Sequence, residues 1–535
     1  MANVKISQLP LATSPLDSTV EMPVVQGGVT KRAGMTTIGF TQAGTSAVLR
    51  TAQDKMREIV SVKDYGATGD GTTNDSAAVQ AAVNYASTFS EGALVQFPAG
   101  KYVLNSTVTV IKSGVILEGD GAGNTWIING QTNAPAITFG DGVSTYSRNG
   151  ISSVVFGQKS AVTAVAGNCG LLASKCSNFA MENVQAFQFP AALYDGVIFD
   201  NVTQSYVADI GFQNCTNTAW VLRNNTFGVF AANGRCDGSA YGVQIRDCQG
   251  LYFTNFDNYG NTQHAWDIGS TTAAADTRYL FFTNCIGDTS GSHNWKITEL
   301  EVGRFTNCWG STQLVPVTGT YADGFFVSGG KCTDLGFVNC VAVANNRHGF
   351  HIELANRVTI ADMTAGANFI PTFAGGLGSG NGVGAGGGSG VFIGAFAGKV
   401  SVNGGLATDN QRYGIEVAAG ATKVRVNNTE TRFNVLGGVL NSANGSAAEC
   451  KVTNVAGYNP LGFITAPAVP ASGVATTNLT GVDVTVYLNG GTLTGNVQIG
   501  AHGVLAVTNV PYFLPAGETI TLTYSVAPSW QWSGN

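Results

Sequence analysis

Short apolar-x-apolar triplets begin at Val197 (VIF), Trp220 (WVL), Val243 (VQI), Trp266 (WDI), Trp295 (WKI), Phe325 (FFV), Phe350 (FHI), Val391 (VFI), Ile415 (IEV) and Val439 (VLN). Their intervals are 23, 23, 23, 29, 30, 25, 41, 24 and 24 residues. A period near 24 with occasional insertions restricts the chain to stacked coils, since one such repeat is too short to bury an apolar face alone. A second strand repeats as Phe212-Gln-Asn-Cys215, Phe282-Thr-Asn-Cys285, Phe305-Thr-Asn-Cys308 and Phe337-Val-Asn-Cys340, with Phe253-Thr-Asn-Phe256 as a variant. Asn255, Asn284 and Asn339 each precede the next triplet by 11 residues. Coils in fixed phase stack about 4.8 Å apart, so equivalent side chains form columns and an Asn at a bend can bond its neighbour's backbone.

Composition agrees. Of 535 residues, 71 are Gly and only 11% are charged, as many short strands with tight turns require. A formal charge of −6 and no Lys/Arg run argue against a nucleic-acid partner. Ten Cys lack any CxxC pair, so zinc is not expected and the thiols read as small buried apolar groups. MANVKISQLPLATS has neither the basic start nor the apolar stretch of a signal peptide, and no run approaches a membrane span. The expectation is a protein made in the cytoplasm, without Sec export or a membrane partner.

The exceptional segment is VKDYGATGDGTTNDSAAVQAAV at 62–83. Its end is helical in pattern: Asn74 or Asp75 caps Ser76 to Ser87, and Val79, Ala82, Val83 and Ala86 share one face. A solenoid's first coil exposes an edge and an apolar interior, so this helix is expected as its lid. The acidic loop before it lacks the spacing of a calcium loop and reads as a turn. The Gly-rich stretch 374–390 accounts for the long interval of 41. Neither its GxGxxG nor GAFAGKVS at 394–401 has the context or spacing of a nucleotide site.

VKDYGATGDGTTNDSAAVQAAV followed by GALVQFPAGKYVL at 92–104 resembles the N-terminal coil of the pectate-lyase-like β-helix proteins of bacteriophage tailspikes. Residues 5–40 are similar to short virion-attachment segments of phage tail proteins. The resemblance implies an all-β right-handed parallel β-helix and a homotrimer on a phage virion that binds and usually cleaves host surface polysaccharide. The expected organisation is 1–57 for attachment to the tail or baseplate, 58–464 for the capped β-helix, 465–477 as a Pro/Ala/Thr linker, and 478–535 as a small β domain for trimerisation.

The resemblance supplies no catalytic positions, so candidates come from the columns. In each triplet the first and third residues face the core, and the second and fourth face outward. Phe326, His351, Glu353, Phe392 and Glu416 cluster over four successive coils, combining aromatic surfaces with acids, as a sugar-binding groove requires. Glu353 and Glu416, two coils and roughly 10 Å apart along the axis, are the expected catalytic pair with His351, provided their side chains lean together. Alternatives are Glu299 with Glu301, side by side in ITELEV, and Asp267 near His264. Phe326, Phe392, Lys296, Arg223 and Arg246 are the expected substrate contacts. No cofactor or metal is expected. The bland reading of the same residues is chain-to-chain packing and surface ion pairs of little worth. Four functions compete: a polysaccharide hydrolase with paired carboxylates, a lyase on uronic-acid polymers with a base such as His351, a non-catalytic glycan-binding adhesin, and a structural tail component.

Overall fold

The computed structural model describes residues 22–534 apart from 35–37, 189–190, 273–275, 312–321, 367–386, 444–448, 456–461, 482 and 505. Thirty-four strands form one continuous sheet that winds into a right-handed β-solenoid of about 13 turns. The ten triplet starts pair in exact parallel register, from Val197 with Trp220 to Ile415 with Val439. The insertions therefore leave the strand without shifting it.

Register turns repetition into stacking. Inside, Trp266 lies on Trp295 at 4.8 Å and Phe325 on Phe350 at 4.8 Å, both nearly coplanar. A second internal column runs Phe253, Phe282, Phe305, Phe337 at 5.2, 4.9 and 4.6 Å. Each fully buried ring contributes roughly 1.5–3 kcal/mol. All ten Cys are buried and unpaired, and Cys285, Cys308 and Cys340 point their thiols at carbonyls of their own or the preceding coil.

The bend after the second strand carries an amide ladder. Asn255 donates to Asn233, Asn284 to Asn255, Asn307 to Asn284 and Asn339 to Asn307 at 2.8–3.2 Å, so the partner is the neighbouring side chain rather than the backbone. Each of these Asn has a φ of +53 to +57°, a region that Asn tolerates better than other side-chain-bearing residues. Phe212-Gln-Asn-Cys215 falls outside this column: Phe212 pairs with Cys236 on the next strand segment, and the ladder position in its coil is Asp209, which accepts from Asn233. The shared letters had masked a one-corner offset.

The lid is the helix Ser76–Ala86, with Val79, Ala82, Val83 and Ala86 buried against the first coils. Asn74 accepts from the Ser76 amide and hydroxyl. Asp75 instead reaches back to the amides of Thr68 and Gly69, and Asp70 takes those of Thr72 and Thr73. The acidic loop thus spends its carboxylates on its own turns.

Beyond residue 461 the chain changes to antiparallel pairing around a separate core that includes Val484, Val486, Leu514, Ile520 and Trp532. Gly462–Ile464 and Ala475–Thr477 already pair within these sheets. The carbonyls of Pro467 and Pro470 accept from Trp530 and Tyr524, so 465–477 packs onto this unit instead of spacing it away. Among the described residues no helix is long and apolar enough to cross a membrane.

Candidate active site

Two outward columns meet on the triplet face. One is the second triplet position, which includes Asp267, Lys296, Phe326, His351, Phe392 and Glu416. The other lies two residues before each triplet and contains His264, His293, Asp323, His348 and Ser389. The residue between, such as Ala265, Gly324, Gly349 or Gly390, is small and buried. At Gly324, Gly349 and Gly390 the chain bends, and the preceding side chain emerges onto the same outer face. Four of the chain's five His gather here.

Asp323 is the anchor, with no side-chain exposure. Arg347 grips it through Nε to Oδ1 at 2.8 Å and Nη2 to Oδ2 at 2.5 Å, and the His348 amide adds a bond of 2.9 Å. Burial opposes charge on this carboxyl, but the Arg347 and His351 hydrogen bonds outweigh it and hold it well below the usual carboxylate range. His351 Nδ1 lies 2.9 Å from Asp323 Oδ2 and 2.8 Å from Arg347 Nη2, while Nε2 lies 3.1 Å from Glu353 Oε2. Nδ1 thus has both an acceptor and a donor in reach. The ring can carry its proton on Nδ1 toward Asp323, or on Nε2 toward Glu353 with Nδ1 accepting from Arg347. Its side chain is 7% exposed, that of Glu353 33%. Asp323 therefore stays ionised and orients the ring, and Nε2 faces a carboxyl that solvent reaches.

The surrounding rings fix His351. Phe326 on one coil and Phe392 on the other meet it edge to face at 5.0 Å, while their other contacts stack on His293 at 4.3 Å and His348 at 4.7 Å. Burial lowers the pKa of His264 to about 4 and of His293 and His348 to about 3. Geometry agrees for the last two: His293 Nδ1 accepts the Asp323 amide and His348 Nδ1 the Ser389 amide, and a proton there would face an N–H.

Asp323, His348 and His351 bring three potential metal-ligating atoms within 4.8 Å of one another. The cationic group already placed among them is Arg347, and a divalent ion would have to displace its bidentate bond to Asp323. The donor set therefore does not favour a metal.

Residues 59–311 match the family model for rhamnogalacturonase A/epimerase, pectate lyase-like. The chain carries a pectate-lyase-like right-handed parallel β-helix. It is 40% identical over 75 residues to mannuronan C5-epimerase AlgE1 of Azotobacter vinelandii and 35% identical over 88 residues to the tail spike protein of Shigella phage Sf6. These stretches cover 13% and 16% of this chain but only 5% and 14% of those proteins. Tailspike protein 3 of bacteriophage CBA120 superposes with a TM-score of 0.55 at 15% identity, over 85% of this chain and 75% of that one, a likeness of fold.

On this β-helix the expected site residues fare differently. Glu416 is 10% exposed at its side chain and held by Arg412, with Nη2 to Oε1 at 2.6 Å and Nε to Oε2 at 3.1 Å, and by Ser389 Oγ at 2.6 Å. Glu353 leans toward the next coil, where a Cβ at Gly394 would stand 2.2 Å from its Oε2. The outward columns are not solvent-facing as expected: His351, Asp267 and Glu416 are all buried, because the preceding column overlies them. Asp267 is bound by Arg246 and Gln244, which occupies both it and Arg246. Arg223 bonds Asp200 at 2.8 Å. Phe326 and Phe392 are partly buried and pack on imidazoles, so they are not open sugar platforms. Lys296, partly exposed, stands between Asp267 and Phe326 in the register. Glu299 and Glu301 do not share one strand face, since Glu299 lies in the bend before the strand Glu301–Thr306. They instead line a cavity of about 240 Å³ with Asp276 and Lys331. Of the Gly-rich stretch 374–390, residues 374–386 lie outside the described residues.

Sequence reasoning missed Asp323, Arg347, His293, His348, Ser389 and Arg412. Tabulating the column two residues before each triplet would have exposed four of them.

Proposed function

We propose that this chain is a phage tailspike that binds and degrades host surface polysaccharide, hydrolysing glycosidic bonds with Glu353 and Glu416. The carrying observation is the Asp323–His351–Glu353 relay, in which a buried, ionised Asp323 orients His351 so that Nε2 meets one solvent-reachable carboxyl. Glu353 serves as general acid, exchanging its proton with His351. Glu416 faces only donors, Arg412 and Ser389, and serves as the acceptor carboxylate that activates water. The assignment of acid and base rests on the different neighbours, an imidazole at Glu353 and a guanidinium with a hydroxyl at Glu416. The tail spike of phage Sf6, by name a virion component, supports the setting. The same reading takes the chain as a homotrimer joined through its C-terminal β unit and attached to the tail by its N-terminal segment.

A second reading has one observation in its favour. Nδ1 of His351 sits beside a guanidinium, and Lys296 lies one coil before Phe326 on the same face. A base beside cations suits removal of the proton next to a uronate carboxylate, the opening step of lyase and epimerase chemistry. The AlgE1 match, a mannuronan epimerase by name, accords with it.

Incubation with capsular and O-antigen polysaccharides separates these readings. New reducing ends without ultraviolet absorbance support hydrolysis, and absorbance of an unsaturated uronate supports the lyase. Binding without any loss of viscosity leaves an adhesin.

A further inference from the structure

We propose that a second copy of this chain docks along an aromatic ladder on a different sheet face, which makes that face the lateral subunit contact. Tyr206, Phe230, Tyr252 and Phe281 occupy equivalent positions on four successive coils. Phe230 stacks on Tyr252 at 4.7 Å and Tyr252 on Phe281 at 4.9 Å, each within 7° of parallel. Tyr206, Phe230 and Tyr252 are 54, 53 and 38% exposed, an uncommon run of rings for a surface left in water.

The orientation of the rings selects the occupant. A sugar stacks on an open aromatic face, but here the faces cover one another along the solenoid axis and only edges point outward. Edges in a column suit the side of another protein, and aromatic anchors with few charges mark the centres of interfaces. The flanking columns are uncharged: Gln204, Gly228 and Gly250 on one side, Ala208, Ala232 and Thr254 on the other. The surface that answers this one must repeat at the same 4.7–4.9 Å rise over four coils. A copy of the same solenoid, axis parallel, does so at every level. The exposed rings supply roughly 300–400 Å², enough for the centre of an interface of about 800 Å² per partner. The inference draws on the homotrimer reading only for the number of copies.

Sedimentation velocity on the full chain tests it. The parent should sediment as an oligomer, and Phe230→Asp with Tyr252→Asp, which leaves the C-terminal β unit intact, should dissociate to monomer on dilution to concentrations at which the parent stays oligomeric, while Phe396→Asp, at a residue 71% exposed elsewhere, should keep the parental size. A monomeric parent, or a doubly substituted chain of unchanged size, overturns the interface. Should the double variant lose its β-sheet circular dichroism, Phe230→Cys decides: a disulfide-linked dimer under mild oxidation supports the ladder contact, and its absence overturns it. Polymer cleavage by a monomeric parent would leave the proposed hydrolysis standing and remove this interface together with the homotrimer.

Discussion

Gly394 makes room for Glu353: a Cβ at residue 394 would stand 2.2 Å from Glu353 Oε2 and 2.9 Å from its Cα. Gly394→Ala should therefore push the carboxyl away from His351 Nε2, which it meets at 3.1 Å. Because the added Cβ also presses on the Glu353 backbone, the melting temperature should fall as well, and polymer cleavage should fall at least about tenfold. Assay of both on one preparation checks this, and unchanged cleavage would place the working carboxyl elsewhere.

Acid sensitivity follows from the buried imidazoles. Burial lowers the pKa of His293 and His348 to about 3 and of His264 to about 4, whereas an unfolded His titrates near 6.5. Between those values the unfolded chain binds more protons, so stability is fully present above about pH 6.5 and is lost as pH falls toward 3. Each group contributes on the order of 1 kcal/mol per pH unit in that window. Denaturant melts at pH 7, 6 and 5 should show falling stability, with a shallower slope for His348→Asn. A stability that holds level or rises on acidification would contradict neutral imidazoles in the folded state.

Thiol chemistry reports the stacking. All ten Cys are buried, and burial raises the thiols of Cys176, Cys215 and Cys332 to about 12. Maleimide labelling of native protein should be slow at every position and complete at ten sites after denaturation. Rapid native labelling of Cys285, Cys308 or Cys340 would disprove their inward column.

The solenoid was legible because register obeys local spacing: every triplet from Val197 to Val439 found its partner, and the lid helix buried the four residues its periodicity marked. The site was half legible. Alternation along a strand identifies His351, Glu353 and Glu416, but it assumes a straight strand. Asp323 and His348 have the parity of core residues relative to Phe325 and Phe350, and reach the outer face only because Gly324 and Gly349 sit at a corner. The fate of Asp267 and Arg246 was hidden for another reason, since mutual neutralisation depends on side-chain reach between coils. Phe212-Gln-Asn-Cys215 shows the converse error, where identical letters at a different corner imitated a column.

The most direct measurement is the rate of polymer cleavage by Glu353→Gln. Gln keeps size and hydrogen bonding but cannot donate or accept the catalytic proton, so turnover should fall about 10²–10⁴-fold while KM and the melting temperature stay near the parental values. Cleavage by Glu353→Gln at the parental rate would contradict the Asp323–His351–Glu353 relay as the catalytic centre.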